Sequence, residues 1–537
     1  MADKLYFSRD SKLYVELTGI DGSFQGLWEI PVLDGFSFSQ ATNQTEIGLQ
    51  EMESTAGVSR RGRRLFTDSL SPAEWSFSTY MRPTNHGTNK MHLVDQVLWA
   101  AMAGADKFAG TGVTATGPTG TGNYTRSVSP VAGVGGVSGV VHDEVGATVP
   151  SGGPGGLLDF NNSNRATLPK LTLYFVFETD TSNPMVYKLT NSIVNECSID
   201  FDIDGIATAN WSGFAKEVTD MQSAGKVNVG TSAPSVSTDL LFLDSGNDYR
   251  LSVPVDADND GSGQDEFRTA ITTGVTSTNN FIRNRLTQLE VRGQNPDVME
   301  GKRLTVTEVG TDGTITTSAN HGLKNGDVVR IAGLSSGATT GDRFNNLNLF
   351  VRDTNSSAGT FKVAATADGN AILSGSALTS QTGTLDTGIY TFTLTGGNIT
   401  IGNNVTYLVP EEIGTINKPI EGVTGARAIG GSFTCYLVFD NATGVSGHTG
   451  ASADFFADLV DPNKGLTKVV NDFDVTFKVG GTTAGQPRVN FNFPKVHIDV
   501  PAHSIEDVIS LETNFGAYTE DFDTADEFQI EVFGVSA

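Results

Sequence analysis

SFSTYM, residues 76–81, has a near echo far down the chain in SFTCYL, residues 432–437. Six letters match too freely to mean much, but a true duplication also preserves the order of the neighbouring elements. Here the order is preserved. Around the first copy run LDGFSFSQATNQTEIG, a polar loop, AEWSFSTYM, an apolar helical stretch, KLTLYFVFE and CSIDFDIDGI, ending at TANWSGF. Around the second run FTLTGGNITIGNN, a loop, IGGSFTCYL, SADFFADLV, DFDVTFKVG and VNFNFPKVHIDV, ending at LETNFGA. KLYVEL near residue 12 likewise resembles RLTQLEV at 285–291, and Asn210-Trp211 is matched with Asn514-Phe515. The alternative is that similar strands look alike by chance.

Period-2 alternation of apolar and polar residues marks nearly every non-loop segment, so the chain reads as mainly β. The strongest helical segment is predicted over 89–104, NKMHLVDQVLWAAMAG, with Leu93, Val94, Val97 and Leu98 forming one apolar stripe. Phe455, Phe456, Leu459 and Val460 repeat that spacing after the second echoed strand. Two like β units, each with a helix packed on its sheets, are expected.

Three stretches fit neither copy. Residues 109–165 are rich in Gly, Thr and Ser and read as a long surface loop or small decoration. Residues 222–279 read as a linker. Residues 300–387 lie between RLTQLEV and YTFTL, so this β-rich unit must return its two ends to nearby points on the host. The predicted domains are therefore 1–221, with the Gly-rich insertion 109–165, and 280–537, carrying an inserted decoration unit at 300–387.

Composition excludes several functions. With 537 residues the chain exceeds one ordinary core. Its 61 acidic against 35 basic residues, a net charge of −26, oppose attraction to DNA phosphates or anionic lipid. No stretch approaches the roughly 20 apolar residues of a membrane span, and no signal-peptide core is present at the N-terminus; a soluble chain made in the cytoplasm is expected. Cys197 and Cys435 lie in strand-like runs without metal-ligand spacing, and Cys435 reads as a strand residue equivalent to Thr79. No nucleophile elbow, Walker loop or dinucleotide fingerprint occurs, so no enzyme activity and no cofactor are expected. His321, at a turn where Gly322 and Gly326 supply the unusual backbone angles, reads as structural.

Three charged constellations remain. Asp256, Asp258 and Asp260, followed by Gly261, begin like a calcium loop. The twelfth position is Phe267 rather than a bidentate glutamate, and the preceding run is strand-like, so a solvated acidic turn is the default. Arg60, Arg61, Arg63 and Arg64 crowd one loop between strands, where bidentate pairing with carboxylates of an adjoining subunit suits them better than nucleic acid. In CSIDFDID, alternation sends Ile199, Phe201 and Ile203 to one face and Asp200, Asp202 and Asp204 to the other, an acidic strip that is solvated or faces a channel.

LDGFSFSQATNQTEI, SRRGRRLFTDSLSPAEWSFSTYMRP, SIDFDIDGIATANWSGF, GSFTCYL and PRVNFNFPKVHIDVPAHSIEDVISLETNFGA together resemble bacteriophage tail tube proteins, over most of 1–108, 165–220 and 388–537. The resemblance implies two tandem tube domains, each a β-sandwich with a flanking helix, whose inner sheets join into a barrel around a DNA channel, with the hairpin at 43–71 bridging consecutive rings. It also implies self-assembly into rings and a helical tube in the virion tail. Other tail proteins (terminator, baseplate or tip, tape measure and, in a contractile tail, sheath) would be partners, and DNA would pass without specific binding or membrane contact. Two domains per chain and six domains per ring then imply three chains per ring. The competing reading is a tail-tip or surface β-sandwich adhesin that binds a glycan or receptor. Against it, the four tryptophans (28, 75, 99 and 211) fall within core elements instead of an exposed cluster.

Overall fold

The computed structural model describes residues 8, 11–18, 24–46, 65–86, 90–93, 95–103, 156–159, 168–177, 185–202, 204–220, 227–229, 241–243, 249–251, 281–317, 321–335, 343–355, 358–366, 369–374, 376–409, 417–439, 449–461, 472–481, 486–505, 507–519, 527–533 and 535–536. As the alternation demands, these residues are mainly β. The strands of the first part are β1 (Ser11–Thr18), β2 (Phe24–Ile30), β3 (Ser37–Glu46), β4 (Leu65–Tyr80), β5 (Lys170–Phe177), β6 (Met185–Asp202), β7 (Thr208–Ala215) and β8 (Glu217–Asp220). Those of the second are β9 (Gln288–Gly293), β10 (Ile389–Gly402), β11 (Ala428–Tyr436), β12 (Phe473–Val479), β13 (Arg488–Ile498), β14 (Ala502–Ile505), β15 (Ile509–Ala517) and β16 (Gln529–Phe533). Helices α1 (Gln96–Ala103) and α2 (Ser452–Val460) accompany them.

The two sets of strands pair in the same order, all antiparallel. In the first, β2 pairs β1, β1 pairs β5, β5 pairs β6, β6 pairs β8 and β7, β7 pairs β4, and β4 pairs β3. In the second, β10 pairs β9, β9 pairs β12, β12 pairs β13 and β13 pairs β16. Then β13 and β14 both pair β15, β15 pairs β11, and β11 returns to β10. Strand β10 does alone what β2 and β3 do together. Its first residues pair β9 and its last pair β11, and it changes partners at a bulge beside Gly396-Gly397, where Gly397 has φ +150°.

Register fixes the correspondence residue by residue. Ser76 and Ser432 mark the same place: Ala73 pairs Ala215 while Ile429 pairs Ala517, and Ser37 pairs Ser76 while Asn398 pairs Ser432. Leu13 pairs Phe175 as Leu289 pairs Phe477, so β1 and β9 answer each other, but three residues out of step with the letters, which set Lys12-Leu13 against Arg285-Leu286. A second expected match is corrected. Trp211 pairs Phe77 and Thr513 pairs Phe433, so the residue in Trp211's place is Thr513, whereas Phe515 answers Gly213. The letters NW and NF had aligned two residues out of step.

The helix expected over 89–104 is also corrected. Lys90–Leu93 is a strand paired with Pro83–His86, and α1 starts only at Gln96, with the Asp95 carbonyl accepting from the Leu98 and Trp99 N–H groups. Hairpin pairing satisfies the backbone of 90–93 in the place of a first helical turn. Val97, Leu98 and Met102 are buried; Leu93 is buried from the strand, and Val94 lies outside the described residues.

A single apolar cluster runs through both sets of strands, from Leu13 and Val15 to Phe491 and Phe515. Trp99 of α1 packs edge-on to Trp211 at 4.7 Å and reaches Phe491 at 6.2 Å. Residues 303–386 form a separate seven-stranded sheet on its own core, including Val329, Phe344, Val351 and Phe361. At its stem, Gly293 N–H donates to Gly388 O at 2.8 Å and Gly388 N–H to Glu300 O at 3.0 Å. Within 222–279, the described residues form a sheet of three short strands, and Gly156–Asp159, at the end of the Gly-rich stretch, pairs β16.

Candidate functional site: an open polar face and the junction beneath it

Along β6, alternation works as the sequence implies. Cys197, Ile199 and Phe201 are buried, while Glu196, Asp200 and Asp202 are exposed on the opposite face, with Asp204 exposed just beyond the strand and Ile203 outside the described residues. The acidic face does not end with β6. Glu196–Asp202 pairs with Gly396–Gly402 of β10, Asp200 lying opposite Asn398 and Ser198 opposite Thr400. This ladder joins the two sets of strands into one continuous sheet, ordered β3-β4-β7-β6-β10-β11-β15-β14.

Short polar side chains line the open face and bond across it. The Ser37 and Ser76 hydroxyls meet at 2.9 Å, Ser78 Oγ donates to Asn210 Oδ1 at 2.7 Å, and Asn210 Nδ2 donates to Asp200 Oδ2 at 3.1 Å. Beyond the junction, Ser432 Oγ donates to Asn398 Oδ1 at 3.0 Å. Glu74 and Glu512 add carboxylates at either side, and no lysine or arginine lies on this face among the described residues. Of these, Glu74, Glu196 and Glu512 were missed in the sequence. Glu196 could have been found by extending the Asp200 parity backward, but Glu74 and Glu512 become neighbours only through the sheet order.

Apolar packing on the other side seals the junction. Phe201 of β6 stacks on Phe477 of β12, centroids 5.7 Å apart and planes 10° from parallel. Asn195, at the bulge in β6, accepts from Asn403 N–H with its carbonyl at 2.7 Å and from Val405 N–H with its side chain at 2.8 Å.

The remaining sequence candidates separate. β3 and β4 stay paired outward to Glu46 and Leu65, and residues 41–46 and 65–68 are exposed, so the hairpin leaves the sheet as an arm. Arg60, Arg61, Arg63 and Arg64, beyond its described end, and Asp256, Asp258 and Asp260 lie outside the described residues. Among those described, no cluster of three His, Cys, Asp or Glu could hold a metal. Both cysteines are buried, and burial pushes the Cys435 thiol up to about 12. His321 is structural, its Nδ1 accepting from Leu323 N–H at 3.0 Å between Gly322 and Gly326, whose φ values are +76° and +96°.

Two buried polar clusters were not anticipated. Behind the sheet, Thr79 Oγ1 donates to Asp95 Oδ2 at 2.9 Å and accepts from Trp211 Nε1 at 3.2 Å; burial pushes the Asp95 carboxyl up to about 6 despite these bonds. At the stem of the 303–386 unit, Arg292 bridges Glu290 and Asp327, and Lys478 Nζ reaches Glu290 at 2.5 Å. Burial alone would raise Glu290, but Arg292 and Lys478 outweigh it and hold the carboxyl at about 2.

The described residues define a mainly β chain with one sheet running through two like-paired sets of strands. No protein-family profile matches it. Over 526 residues it is 22% identical to the tail tube protein pb6 of Escherichia phage T5, covering 97% of this chain and 75% of that protein. This similarity supports a phage tail tube protein with its place in the virion tail. A likeness to the anti-feeding prophage baseplate, at 6% identity and a TM-score of 0.22 over 41% of this chain and 97% of that one, is too slight to carry an argument.

Proposed function

We propose that the chain is a structural, non-enzymatic subunit made of two tandem tube domains, residues 1–221 and 280–537, with a decoration domain at 300–387 hung from the second. Three copies form a ring of pseudo-sixfold symmetry, and rings stack into a tube that conducts DNA during ejection. The carrying observation is the ladder between β6 and β10. Two sets of strands with the same pairing order already sit side by side in one sheet, so the contact that repeats around a ring is present once inside the chain.

The polar face suits the inside of such a tube. Duplex DNA carries one charge per roughly 1.7 Å of axis and grips basic surfaces. A wall of Ser, Asn and Thr with Glu74, Glu196, Asp200, Asp202 and Glu512, and no described cation, repels it weakly everywhere. The hairpin of β3 and β4 is the proposed contact with the next ring, Arg60, Arg61, Arg63 and Arg64 pairing with carboxylates there. Terminator, baseplate or tip, tape-measure and sheath-type proteins are the proposed partners at the tube's ends, interior and exterior. Electron microscopy of assembled tubes is the test: threefold rings of six similar units are expected, and six whole chains per ring would refute the proposal.

A further inference from the structure

The internal junction predicts the external one. Among the described residues, β3 at one end of the continuous sheet pairs only β4, and β14 at the other pairs only β15. Each has an equivalent at the internal junction. Ala502, His503 and Ser504 pair Glu512, Leu511 and Ser510 of β15, while Ser198, Ile199 and Asp200 pair Asn210, Ala209 and Thr208 of β7. Since Ala215 and Ala517 correspond, Ser504 stands where Asp200 stands, and Ile505 where Phe201 does. By the same logic Ser37, Phe38 and Ser39 stand where Asn398, Ile399 and Thr400 do, each set pairing the strand that carries Ser76 or Ser432.

We infer that β14 of one copy adds antiparallel to β3 of a second copy of this chain, with Ser504 opposite Ser37, His503 opposite Phe38 and Ala502 opposite Ser39. This rests on the ring reading above and specifies its seam. The register is that of Asp200 opposite Asn398, Ile199 opposite Ile399 and Ser198 opposite Thr400. Exposure supports a second copy as the occupant. Phe201 is 5% exposed because Phe477 covers it, but Ile505 in the same position is 78% exposed, with Val500, Val508 and Ile509 exposed nearby. The position of Phe477 is taken by Phe175, which packs against Phe36 at 5.4 Å and Phe38 at 4.8 Å directly behind β3. An apolar edge strand of this kind invites pairing, and here the matching edge lies on the same molecule's far side.

The experiment is a cysteine pair in the full chain, Ser37→Cys with Ser504→Cys, oxidised after assembly and run on denaturing, non-reducing gels. Directly opposed cross-strand residues have Cα atoms about 4.5–5.5 Å apart, within disulfide reach. The two native cysteines are buried and contribute little background. A covalent ladder ending at three chains is expected. No cross-link in assembled rings, or an equally efficient one from Ser39→Cys with Ser504→Cys, overturns the register while leaving the ring of three intact. A ladder running on to six chains refutes the ring of three and leaves the seam in place. Ile505→Asp supplies a second readout: it should give a folded chain by circular dichroism that no longer assembles, and tubes forming as in the parent would overturn the seam.

Discussion

Replacing Asp95 with asparagine should stabilise the unassembled chain, and only above acid pH. The Asp95 side chain is fully buried; Oδ2 is bonded by Thr79, while Oδ1 has no hydrogen-bond partner. Burial raises its carboxyl from 3.8 to about 6. A group whose folded pKa is raised is protonated more readily in the folded state. The folded chain is therefore favoured below the unfolded value and loses that advantage as pH rises from about 4 to about 6. At 1.36 kcal/mol per pH unit of displacement, the ionised carboxylate costs on the order of 3 kcal/mol at neutral pH. Asparagine keeps an acceptor for Thr79 and cannot ionise. Urea unfolding of parent and Asp95→Asn should therefore nearly coincide near pH 4 and differ by roughly 2–3 kcal/mol near pH 8, the variant being more stable. Asp474, also pushed up to about 6 by burial, is present in both proteins and cancels in the difference. A variant less stable than the parent at pH 8, or a difference that does not change with pH, would refute the reasoning.

Arg292→Ala strands Glu290 and Asp327 without their shared cation and should cost about 3–5 kcal/mol by urea unfolding; a loss under about 1 kcal/mol would mean that the cluster is well solvated. Joining Glu300 directly to Gly388, whose N–H and carbonyl partners are already 3.0 Å apart, should remove the outer unit without preventing tube formation, leaving Arg292 its Glu290 partner. Loss of tubes by electron microscopy would instead place that unit at a ring interface. Asp200→Lys with Asp202→Lys should leave assembly unchanged but slow DNA ejection, most at low salt; an unchanged rate would argue that this face does not line the channel. Thiol titration should find Cys197 and Cys435 inert in the folded chain and both reactive in denaturant.

The fold was legible wherever a single period dominated. Alternation alone placed Ile199 and Phe201 inward and Asp200 and Asp202 outward, and residues 303–386, inside the stretch that fitted neither run, pack on a core of their own. It failed at Lys90–Leu93, because KMHL suits a strand or a first helical turn equally and only the partner at Pro83–His86 decides between them. The junction of β6 with β10 was illegible for a different reason. A ladder is made of backbone groups common to all residues, so the letters of CSIDFDID and GGNITIG carry no mark of each other. Arg292, Glu290 and Asp327 gave no signal either, since they lie on different elements that meet only at the stem.

The mismatch of Trp211 with Phe515 explains why ladders rather than letters carry the equivalence. In the first set, Trp75 on β4 faces Gly213 on β7, and a Cβ on that glycine would come within 2.4 Å of the indole. In the second, the aromatic has crossed to the other strand: Phe515 on β15 faces Gly431 on β11, and a Cβ there would approach the ring at 3.0 Å. The pair keeps one large and one absent side chain, and close-packed interiors conserve that sum more strictly than either identity. The glycines are fixed more firmly still by backbone, because a Cβ would lie 2.2 Å from the Ile193 carbonyl oxygen at Gly213 and 2.0 Å from that of Asn398 at Gly431. Each glycine is therefore held by the neighbouring strand and each aromatic by the glycine it faces. The two sets therefore differ by a compensated exchange that leaves these ladders in matching register.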